Sequence, residues 1–316
     1  MKQYFFVTID TEADAPKRRP KYPLSLDNVK SIPRLQNLFK KYNVKPVYFI
    51  TYPVATDKES INILKEFLDK QEIEIGAHLH PWTTPPFLSE REKRQLGYPH
   101  NSPLEFEKLS NLTEVIETSF GQKPLSYRAG RYGFDRESLG FLEKLGFLVD
   151  SSIAPSMNWS FDGGPNFADF NLLESYFLNP NDIKKKGESQ VLEVPLSIVL
   201  NRELIQFLRR AYNFLPPEIK FIFKKTGLIK TFWLRPSISS FEEMKFVVDT
   251  LTKKGVGALN MMFHSNEILE GASPYSKTKK ETENFFLRLE KILDYLIFQK
   301  KAESKILFEY YKMKKS

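Results

Sequence analysis

Short apolar runs alternate with amphipathic stretches along this chain, and this alternation limits the folds open to it more than any other feature. Tyr4 to Ile9, Val47 to Ile50 and Ile73 to Ala77 have the length and composition of buried strands. Asn28 to Lys41 and Glu59 to Leu68 place apolar side chains at helical spacing. Strands that alternate with helices predict βα units with a parallel sheet. Periodicity alone leaves a barrel and an open sheet as alternatives.

The same alternation continues through the second half of the sequence. Further helices are predicted over Leu104 to Phe120, Asp135 to Leu145, Phe241 to Lys253 and Thr278 to Phe298. Further strands are predicted over Leu125 to Tyr127, Phe147 to Val149, Val191 to Val194 and Ala258 to Phe263. No internal repeat with a period of about 20–50 residues is visible, which argues against solenoids and propellers.

The composition is that of a globular protein, with 41% hydrophobic and 27% charged residues among 316. This length fits either two domains or one α/β barrel with insertions. We expect a single barrel domain over 1–316, with insertions near 81–103, 156–187 and 201–232 that form lids or substrate walls. Because the chain has no cysteine, disulfides, thiolate zinc sites and cysteine nucleophiles are excluded.

The net charge of +8 is concentrated in parts of the chain. Leu204 to Lys230 is both basic and apolar, and either lies on an anionic membrane surface or forms a lid helix with a solvated basic face. The Lys-rich tail from Lys300 is expected to be solvated surface. No nucleic-acid-binding module accompanies the charge, so no nucleic-acid partner is expected. Neither a signal peptide nor an apolar run of about 18 residues is found, and we expect a cytoplasmic protein, or one at the inner membrane face.

Ionisable side chains directly follow several of the predicted strands. The carboxyl ends of parallel strands meet at one end of a barrel, where barrel enzymes keep their active sites. We therefore expect these side chains to converge on one site. They are Asp10, Glu12, His78, His80, Arg128, Asp150 and His264.

Each of these residues also has a structural interpretation. Asp10 and Glu12 could cap the following turn, the histidines could be hydrogen-bonded structural residues, and Arg128 could pair with a neighbouring acid. Taken together, however, two imidazoles and a carboxylate on adjacent strand ends form an N₂O ligand set. Hydrolytic zinc sites with an open coordination position use this class of ligands. The conjunction therefore favours a metal-dependent hydrolase.

Four short segments lie in order between Thr8 and His264. They are Thr8-Ile9-Asp10-Thr11-Glu12, Gly76-Ala77-His78-Leu79-His80-Pro81-Trp82, Tyr127-Arg128-Ala129-Gly130-Arg131-Tyr132-Gly133 and Phe263-His264-Ser265. In these segments the chain resembles the polysaccharide deacetylase family, the NodB-homology or carbohydrate esterase family four group of metal-dependent amide hydrolases. It resembles in particular a divergent branch with D-x-E and H-x-H patterns. The resemblance implies a distorted (β/α) barrel with about seven strands.

The resemblance also implies catalytic roles. Asp10 corresponds to the catalytic base, Arg128 to the arginine that orients this base, and His264 to the general acid. Asp150 lies near the position of the acid that tunes the general acid in the family, although its spacing departs from the family pattern.

A metal site is implied by the same segments. Glu12, His78 and His80 correspond to the ligands of one divalent ion, with Zn²⁺ first and Co, Ni or Mn as alternatives. The chain departs from the family pattern here, because the second acid is Glu and lies one residue further on. This leaves open whether Asp10 also touches the metal.

Three further residues are candidate substrate contacts. Arg131 stands where the family has the oxyanion-hole backbone N–H, although the usual R-x-P-Y is replaced here by R-A-G-R. Arg235, in the segment W-L-R-P, is another candidate. Trp82 could stack on a sugar ring or pack in the core, and the same alternatives apply to Trp159, Phe161 and Trp233.

The resemblance therefore implies a metal-dependent hydrolase that removes an N-acetyl group from a sugar of a glycan, glycolipid or precursor. Amide hydrolysis needs an activated water, stabilisation of the developing oxyanion and a proton for the departing amine. One alternative is hydrolysis of another non-peptide C–N bond on the same fold. The other is a catalytically silent carbohydrate-binding protein, which would be expected to have lost at least one of these groups.

Overall fold

A computed structural model describes residues 2–17, 22–200 and 230–316. Within these ranges the strands are β1 (Tyr4–Thr11), β2 (Val47–Ile50), β3 (Glu74–Leu79), β4 (Ser126–Ala129), β5 (Val149–Asp150), β6 (Tyr176–Asn179), β7 (Asp182–Lys186), β8 (Leu192–Glu193), β9 (Ile198–Leu200), β10 (Thr231–Trp233), β11 (Ala258–His264) and β12 (Glu303–Ser304). The α-helices are α1 (Ile32–Lys41), α2 (Tyr52–Thr56), α3 (Lys58–Asp69), α4 (Glu105–Phe120), α5 (Arg136–Leu145), α6 (Phe241–Lys253), α7 (Lys279–Asp294) and α8 (Leu307–Lys315).

Parallel strands form the centre of the fold. In the described part of the chain they lie in the order β11-β1-β2-β3-β4-β5-β8. Strand β12 pairs with β1, and the antiparallel strands β6 and β7 extend the sheet beyond β8. Helices connect most of the parallel strands, as βα units require. The prediction of a distorted (β/α) barrel with about seven strands is confirmed.

The two edges of the parallel run approach each other through the segment that follows β8. The backbone N–H of Ser197 donates to the carbonyl oxygen of Asn260 in β11 at 3.1 Å. The backbone N–H of Asn260 donates to the Ser197 hydroxyl at 2.8 Å, and its side-chain amide donates to the carbonyl oxygen of Val194 at 3.0 Å. The barrel is thus closed around Asn260 by individual hydrogen bonds.

Alternate residues of β1 face opposite sides of the barrel wall. Phe5, Val7 and Ile9 belong to the large apolar cluster that includes the surrounding helices. Phe6 faces inward and packs in a second cluster with apolar residues of α8, which fills one end of the barrel. Thr8 follows on the same inward face and is polar. The barrel interior therefore changes from apolar to polar towards the carboxyl ends of its strands.

Several elements differ from their predicted form. The helix predicted from Asn28 begins at Ile32, after a 3-10 turn over Asp27–Ser31. The helix predicted over Thr278 to Phe298 ends at Asp294, and a π-helical turn, Tyr295–Gln299, follows it. The segment 156–187, expected as an insertion, contributes β6 and β7 to the sheet. In the Lys-rich tail the lysines of α8 are exposed, but the opposite face of this helix is buried.

The basic segment from Leu204 to Lys230 lies, except for Lys230, outside the described residues. Both interpretations of that segment therefore stay predictions. Among the helices that the structure does describe, none has the length and apolar composition needed to cross a membrane.

Candidate active site

A cavity of about 720 Å³ lies at the carboxyl ends of the parallel strands. Asp10 and Glu12 reach its wall from the end of β1, His78 and His80 from the end of β3, and His264 from the end of β11. The pairing of β1 with β11 places Asp10 directly opposite His264. Residues that are distant in sequence thus meet because parallel strands in a barrel end on the same side.

Arg128 of β4 holds Asp10 in place from inside the barrel. Its Nη1 donates to Oδ1 of Asp10 at 2.7 Å. Its Nη2 donates to the hydroxyls of Thr8 at 2.8 Å and Ser151 at 2.9 Å, and its Nε donates to the carbonyl oxygen of Ser151 at 2.8 Å. Both Arg128 and Asp10 are buried. A buried charge pair with this many hydrogen bonds has one well-defined geometry.

The second oxygen of Asp10 faces the histidines of the cavity. Oδ2 lies 3.9 Å from Nε2 of His78 and 3.8 Å from Nε2 of His264, both longer than a hydrogen bond. Burial by itself raises the pKa of Asp10, but the charge and hydrogen bond of Arg128, together with the nearby histidines, outweigh burial and lower this pKa below its ordinary value. Asp10 is therefore an ionised carboxylate with one oxygen available to accept a proton.

Glu12, His78 and His80 form a compact group of potential metal ligands. Each offers one ligand atom, and these atoms lie within 4.8 Å of one another. Nε2 of His80 lies 3.3 Å from Oε2 of Glu12. Nδ1 of His78 donates to the carbonyl oxygen of Arg128 at 2.8 Å, which leaves the lone pair on Nε2 for a metal.

The charge state of this group fits a divalent cation. Burial lowers the pKa of both His78 and His80, so their imidazoles are neutral and able to coordinate. Burial raises the pKa of the Glu12 carboxyl to about 7. A nearby cation would favour the ionised form of such a carboxyl. Two neutral imidazoles and one carboxylate are also the donor set of hydrolytic zinc sites.

The turn after β4 leaves room for the ring of His80. A Cβ atom at Gly130 would collide with the carbonyl oxygen of Leu79 and with the His80 ring. The next two residues, Arg131 (φ 54°) and Tyr132 (φ 60°), both have left-handed backbone. This conformation costs a non-glycine residue roughly 1–2 kcal/mol. The strained turn brings both side chains to the cavity wall.

His264 has a carboxylate partner that the sequence did not suggest. Its Nδ1 lies 3.2 Å from Oε1 of Glu267 and 3.0 Å from Nη2 of Arg235, and Arg235 also pairs with Glu267. Burial and the charge of Arg235 oppose protonation of His264, but the hydrogen bond to Glu267 and the charges of Glu12 and Glu267 raise its pKa overall. Burial likewise opposes ionisation of Glu267, but Arg235 and His264 lower its pKa to about 2. His264 is therefore suited to carry a proton.

A second residue of the same turn contacts the ligand group. Nδ2 of Asn266 donates to Oε1 of Glu12 at 3.3 Å and to the carbonyl oxygen of Ala13 at 3.2 Å. Asn266 and Glu267 lie in a 3-10 turn, Ser265–Ile268, directly after β11. The signal in the sequence was the H-x-x-E spacing, which on such a turn places Glu267 back against His264.

The three predicted substrate contacts all lie on the cavity wall. Trp82 stacks on His80, with ring centres 4.2 Å apart. Arg235 is buried, and its guanidinium is engaged by Glu267 and by the hydroxyl of Ser237. Nη1 of Arg131 donates to the carbonyl oxygen of Leu96 at 2.6 Å. Among the other aromatic candidates, Trp159 stacks on Tyr132, Trp233 is buried, and Phe161 is exposed.

A buried lysine holds the loop that carries Trp82. Lys108 of α4 is completely buried. Its ammonium donates to three backbone carbonyl oxygens of this loop, those of Pro81 at 3.0 Å, Thr84 at 2.9 Å and Pro86 at 2.7 Å. Because hydrogen bonds from a charged donor are strong, the loop and therefore the indole of Trp82 have a defined position beside the ligand group.

Asp150 does not lie at the cavity, in contrast to the sequence prediction. In β5 it is paired in register with Glu193 of β8, and it accepts a hydrogen bond of 2.6 Å from the hydroxyl of Ser152. The neighbouring Ser151 points into the barrel towards Arg128, so the alternation of side chains along a strand turns Asp150 to the outer face. The carboxylate beside His264 is Glu267 instead.

This chain is similar to known proteins in structure rather than in sequence. No family model and no curated protein matches the sequence. A protein from Parabacteroides distasonis, named as a glycoside hydrolase/deacetylase, matches with a TM-score of 0.58 and 13% identity over 96% of this chain and 69% of its own. A protein from Pseudomonas aeruginosa PAO1, named as a polysaccharide deacetylase, matches with a TM-score of 0.54 and 13% identity over 98% of this chain and 89% of its own.

The same architecture also occurs in a protein that is named as a different kind of enzyme. A GH57 branching enzyme from Thermococcus kodakaraensis matches with a TM-score of 0.56 and 13% identity over 99% of this chain and 71% of its own. At such identities the likeness concerns the fold. The resemblance that the sequence motifs indicate is thus confirmed at the level of architecture: this chain has the barrel fold of the polysaccharide deacetylases.

Proposed function

We propose that this protein is a divalent-metal-dependent hydrolase that removes an N-acetyl group from an amino sugar of a glycan, glycolipid or precursor. The observation that carries the proposal is the convergence of Glu12, His78 and His80 beside Asp10, whose pKa is lowered, and His264, whose pKa is raised. A catalytically silent relative would have no need for all of these groups in one cavity.

Glu12, His78 and His80 would hold the metal ion. A divalent ion at this position supplies a Lewis acid for the acetyl carbonyl and lowers the pKa of a nearby water molecule. The hydrogen bond from His78 to the Arg128 carbonyl fixes its tautomer, and the amide of Asn266 orients the carboxylate of Glu12.

Asp10 acts as the general base in this proposal. Its Oδ1 is occupied by Arg128, so Oδ2 accepts the proton of the attacking water. The low pKa of Asp10 keeps this oxygen ionised at neutral pH. Since Asp10 faces the cavity between His78 and His264, the transferred proton stays close to the reacting groups.

His264 acts as the general acid on the opposite strand. Glu267 holds its Nδ1, which directs Nε2 towards the cavity, where the departing amine takes up a proton. Arg235 positions Glu267 in this proposal. Trp82 and Arg131 contact the sugar, and the backbone N–H of Arg131 remains a candidate donor to the developing oxyanion.

The test combines metal analysis with acetate release from a panel of acetylated saccharides. The full chain is freed of metal with a chelator and reloaded with Zn²⁺, Co²⁺, Ni²⁺ or Mn²⁺. We expect about one ion per chain, and acetate release that depends on it. H78A and H80A should each lose the ion. D10N should keep the ion and lose at least about 100-fold in kcat.

His100 supplies the matched control, because it is the one histidine of the sequence that is absent from the cavity wall. H100A should keep both metal and activity. Loss of the ion in D10N would contradict the assignment of Asp10 as the base. Cleavage of a glycosidic bond without acetate release would overturn the proposal and favour the reaction class of the branching enzymes. Hydrolysis of only non-acetyl amides or ureides would identify another C–N bond as the target.

A further inference from the structure

Four arginine side chains, Arg94, Arg128, Arg131 and Arg235, lie at the cavity or just beneath it, and two of them are paired with buried carboxylates. Arg128 pairs with Asp10 at 2.7 Å, and Arg235 pairs with Glu267. Arg131 is half-buried and forms no ion pair with any described residue. A charged group that loses hydration without a counter-ion is unfavourable. The guanidinium of Arg131 is therefore available to bind an anionic ligand.

The contacts of Arg131 orient its guanidinium and use only one of its N–H donors. Nη1 donates to the carbonyl oxygen of Leu96, and the group lies 4.5 Å from the ring centre of Tyr98. A guanidinium has five N–H donors in a planar fork. One donor and one face are thus engaged, and the described residues leave the rest of the fork free for a ligand. Such a fork matches the geometry of a carboxylate or a phosphate.

The position of Arg131 connects it to the reaction site. It follows Gly130, where a Cβ atom would collide with the ring of the metal-ligand candidate His80. The left-handed backbone of Arg131 and Tyr132 is strained, and such strain persists where the surrounding structure requires it, often at ligand sites. Arg131 and the ligand group line the same cavity, so a single substrate could reach both.

The charges on this side of the cavity favour an anion. Asp10 and Glu267 are already paired with arginines. Glu12 belongs to the candidate ligand group, where a metal ion would offset its charge. Apart from that group and His264, the remaining charged residues on the wall are the basic Arg94 and Arg131 and the acidic Asp162. Arg94 is exposed at the mouth of the cavity. An approaching substrate therefore meets a positive excess around Arg131.

We propose that Arg131 binds an anionic group of the substrate, a carboxylate or a phosphate, so that the enzyme prefers acidic acetylated sugars over neutral ones. This inference rests on the proposed deacetylase function. It gives Arg131 a side-chain role in substrate selection, in addition to any part played by its backbone N–H.

The test measures substrate preference in the metal-loaded full chain. An N-acetylhexosamine is compared with the same sugar carrying a phosphate and with the same sugar carrying a carboxylate. The wild-type protein should show a higher kcat/KM for the acidic sugars. R131N should lower the ratio of acidic to neutral kcat/KM by about 10–100-fold, mostly through KM, since a charge-assisted hydrogen-bonded pair is lost. Asn is chosen because it tolerates left-handed backbone.

Two variants control for charge and for surface effects. R131K keeps the charge but not the fork, and should retain part of the preference. R136Q removes an exposed arginine of α5 that does not line the cavity, and should leave the preference unchanged. A wild-type protein without preference for acidic sugars, or an R131N protein with unchanged preference, would overturn the inference.

A binding measurement separates this inference from the proposed function. Calorimetric titration with the deacetylated sugar phosphate and with its neutral counterpart needs no turnover. If no acetylated sugar releases acetate but R131N still weakens binding of the sugar phosphate, the proposed function fails and the anion site stands. If acetate is released equally from neutral and acidic sugars, and binding is equal as well, the anion site fails and the proposed function stands.

Discussion

At the scale of single residues, the site places a carboxylate with a lowered pKa close to an imidazole with a raised pKa. Oδ2 of Asp10 lies 3.8 Å from Nε2 of His264. Arg128 favours the ionised carboxylate, and Glu267 favours the protonated imidazole. Amide hydrolysis needs one group that accepts a proton and another that donates one, and the different pKa shifts of Asp10 and His264 suit them to these two roles.

Glu267 provides the sharpest test of this pairing. E267Q removes the negative charge beside His264, so the pKa of His264 should fall and less of it should be protonated. We expect kcat to decrease by about 10–100-fold with a smaller change in KM and with the metal content unchanged. The variant should also be less stable by roughly 3 kcal/mol, because Arg235 is left buried without its partner.

Steady-state kinetics, metal analysis and thermal unfolding of E267Q give the three readouts. The matched control is E270Q, which changes an exposed glutamate three residues further along and should alter none of them. An E267Q protein with wild-type kcat would show that the carboxylate does not act through His264.

The residues directly after strands could be predicted, whereas their partners could not. Asp10, His78 and His264 lie at the ends of apolar runs that are typical of strands. Because parallel strands of a barrel end on the same side, their convergence could be predicted. Glu267 lies within a 3-10 turn, where the direction of a side chain depends on the local backbone. Asp150 was assigned from its proximity to a strand end, and the alternation of β5 turns it outward instead.

At the scale of elements, the turn after β4 determines how closely the backbone approaches the ligand group. G130A adds a methyl group where the Leu79 carbonyl oxygen and the His80 ring already lie. The ring of His80 must shift, and we expect the metal affinity to fall by about 10–100-fold, as for other changes that misplace a ligand. Competitive chelation of the loaded protein measures this affinity.

Gly140 offers a control for the same substitution. It lies within α5, and a Cβ atom there would meet no heavy atom within 4 Å. G140A should keep wild-type metal affinity and stabilise the protein by up to about 1 kcal/mol, because alanine favours helix over glycine. Equal metal affinity in G130A and G140A would show that His80 is not held by this turn.

Elements with a strong apolar period were predicted well, and those without one were not. The helix over Phe241–Lys253 has its predicted bounds, since Ser240 and Glu243 form a capping box in front of a regular apolar face. Strands β6 and β7 lie at the edge of the sheet, and β7 has mostly exposed residues. Their sequence therefore lacks the apolar signal that marks the central strands.

At the scale of the whole molecule, two buried glutamates make the free energy of unfolding depend on pH. Glu105 of α4 accepts a hydrogen bond of 2.6 Å from the hydroxyl of Ser138 in α5. Glu74 of β3 accepts one of 3.1 Å from the backbone N–H of Phe308 in α8. Burial raises the pKa of each carboxyl from its ordinary 4.5 to about 7. Both residues therefore bind a proton more tightly in the folded protein.

The sign of the pH dependence follows from this difference. The stabilisation by protonation is complete below the unfolded pKa of 4.5, and it is lost as the pH rises through the folded pKa of about 7. At pH 8, the E105Q and E74Q variants should be more stable than the wild type by at most on the order of 3 kcal/mol each. Near pH 5 the difference should be small.

Urea unfolding at the two pH values measures this effect. E114Q changes an exposed glutamate of α4 and should follow the wild type at both. A stability difference between E105Q and the wild type that is the same at pH 5 and pH 8 would contradict the raised pKa of Glu105.

The pairing of β1 with β11 has a consequence for the order in which this protein is made. β1 leaves the ribosome well before β11, the strand that covers its edge, which starts at Ala258. At about 5–20 residues per second, synthesis of the chain between β1 and β11 takes roughly 10–50 seconds, and during this time that edge of β1 is unpaired. The same pairing brings Asp10 opposite His264. A nascent chain thus carries the proposed base long before the proposed acid exists, and the catalytic pair is completed only when the barrel's latest central strand is inserted.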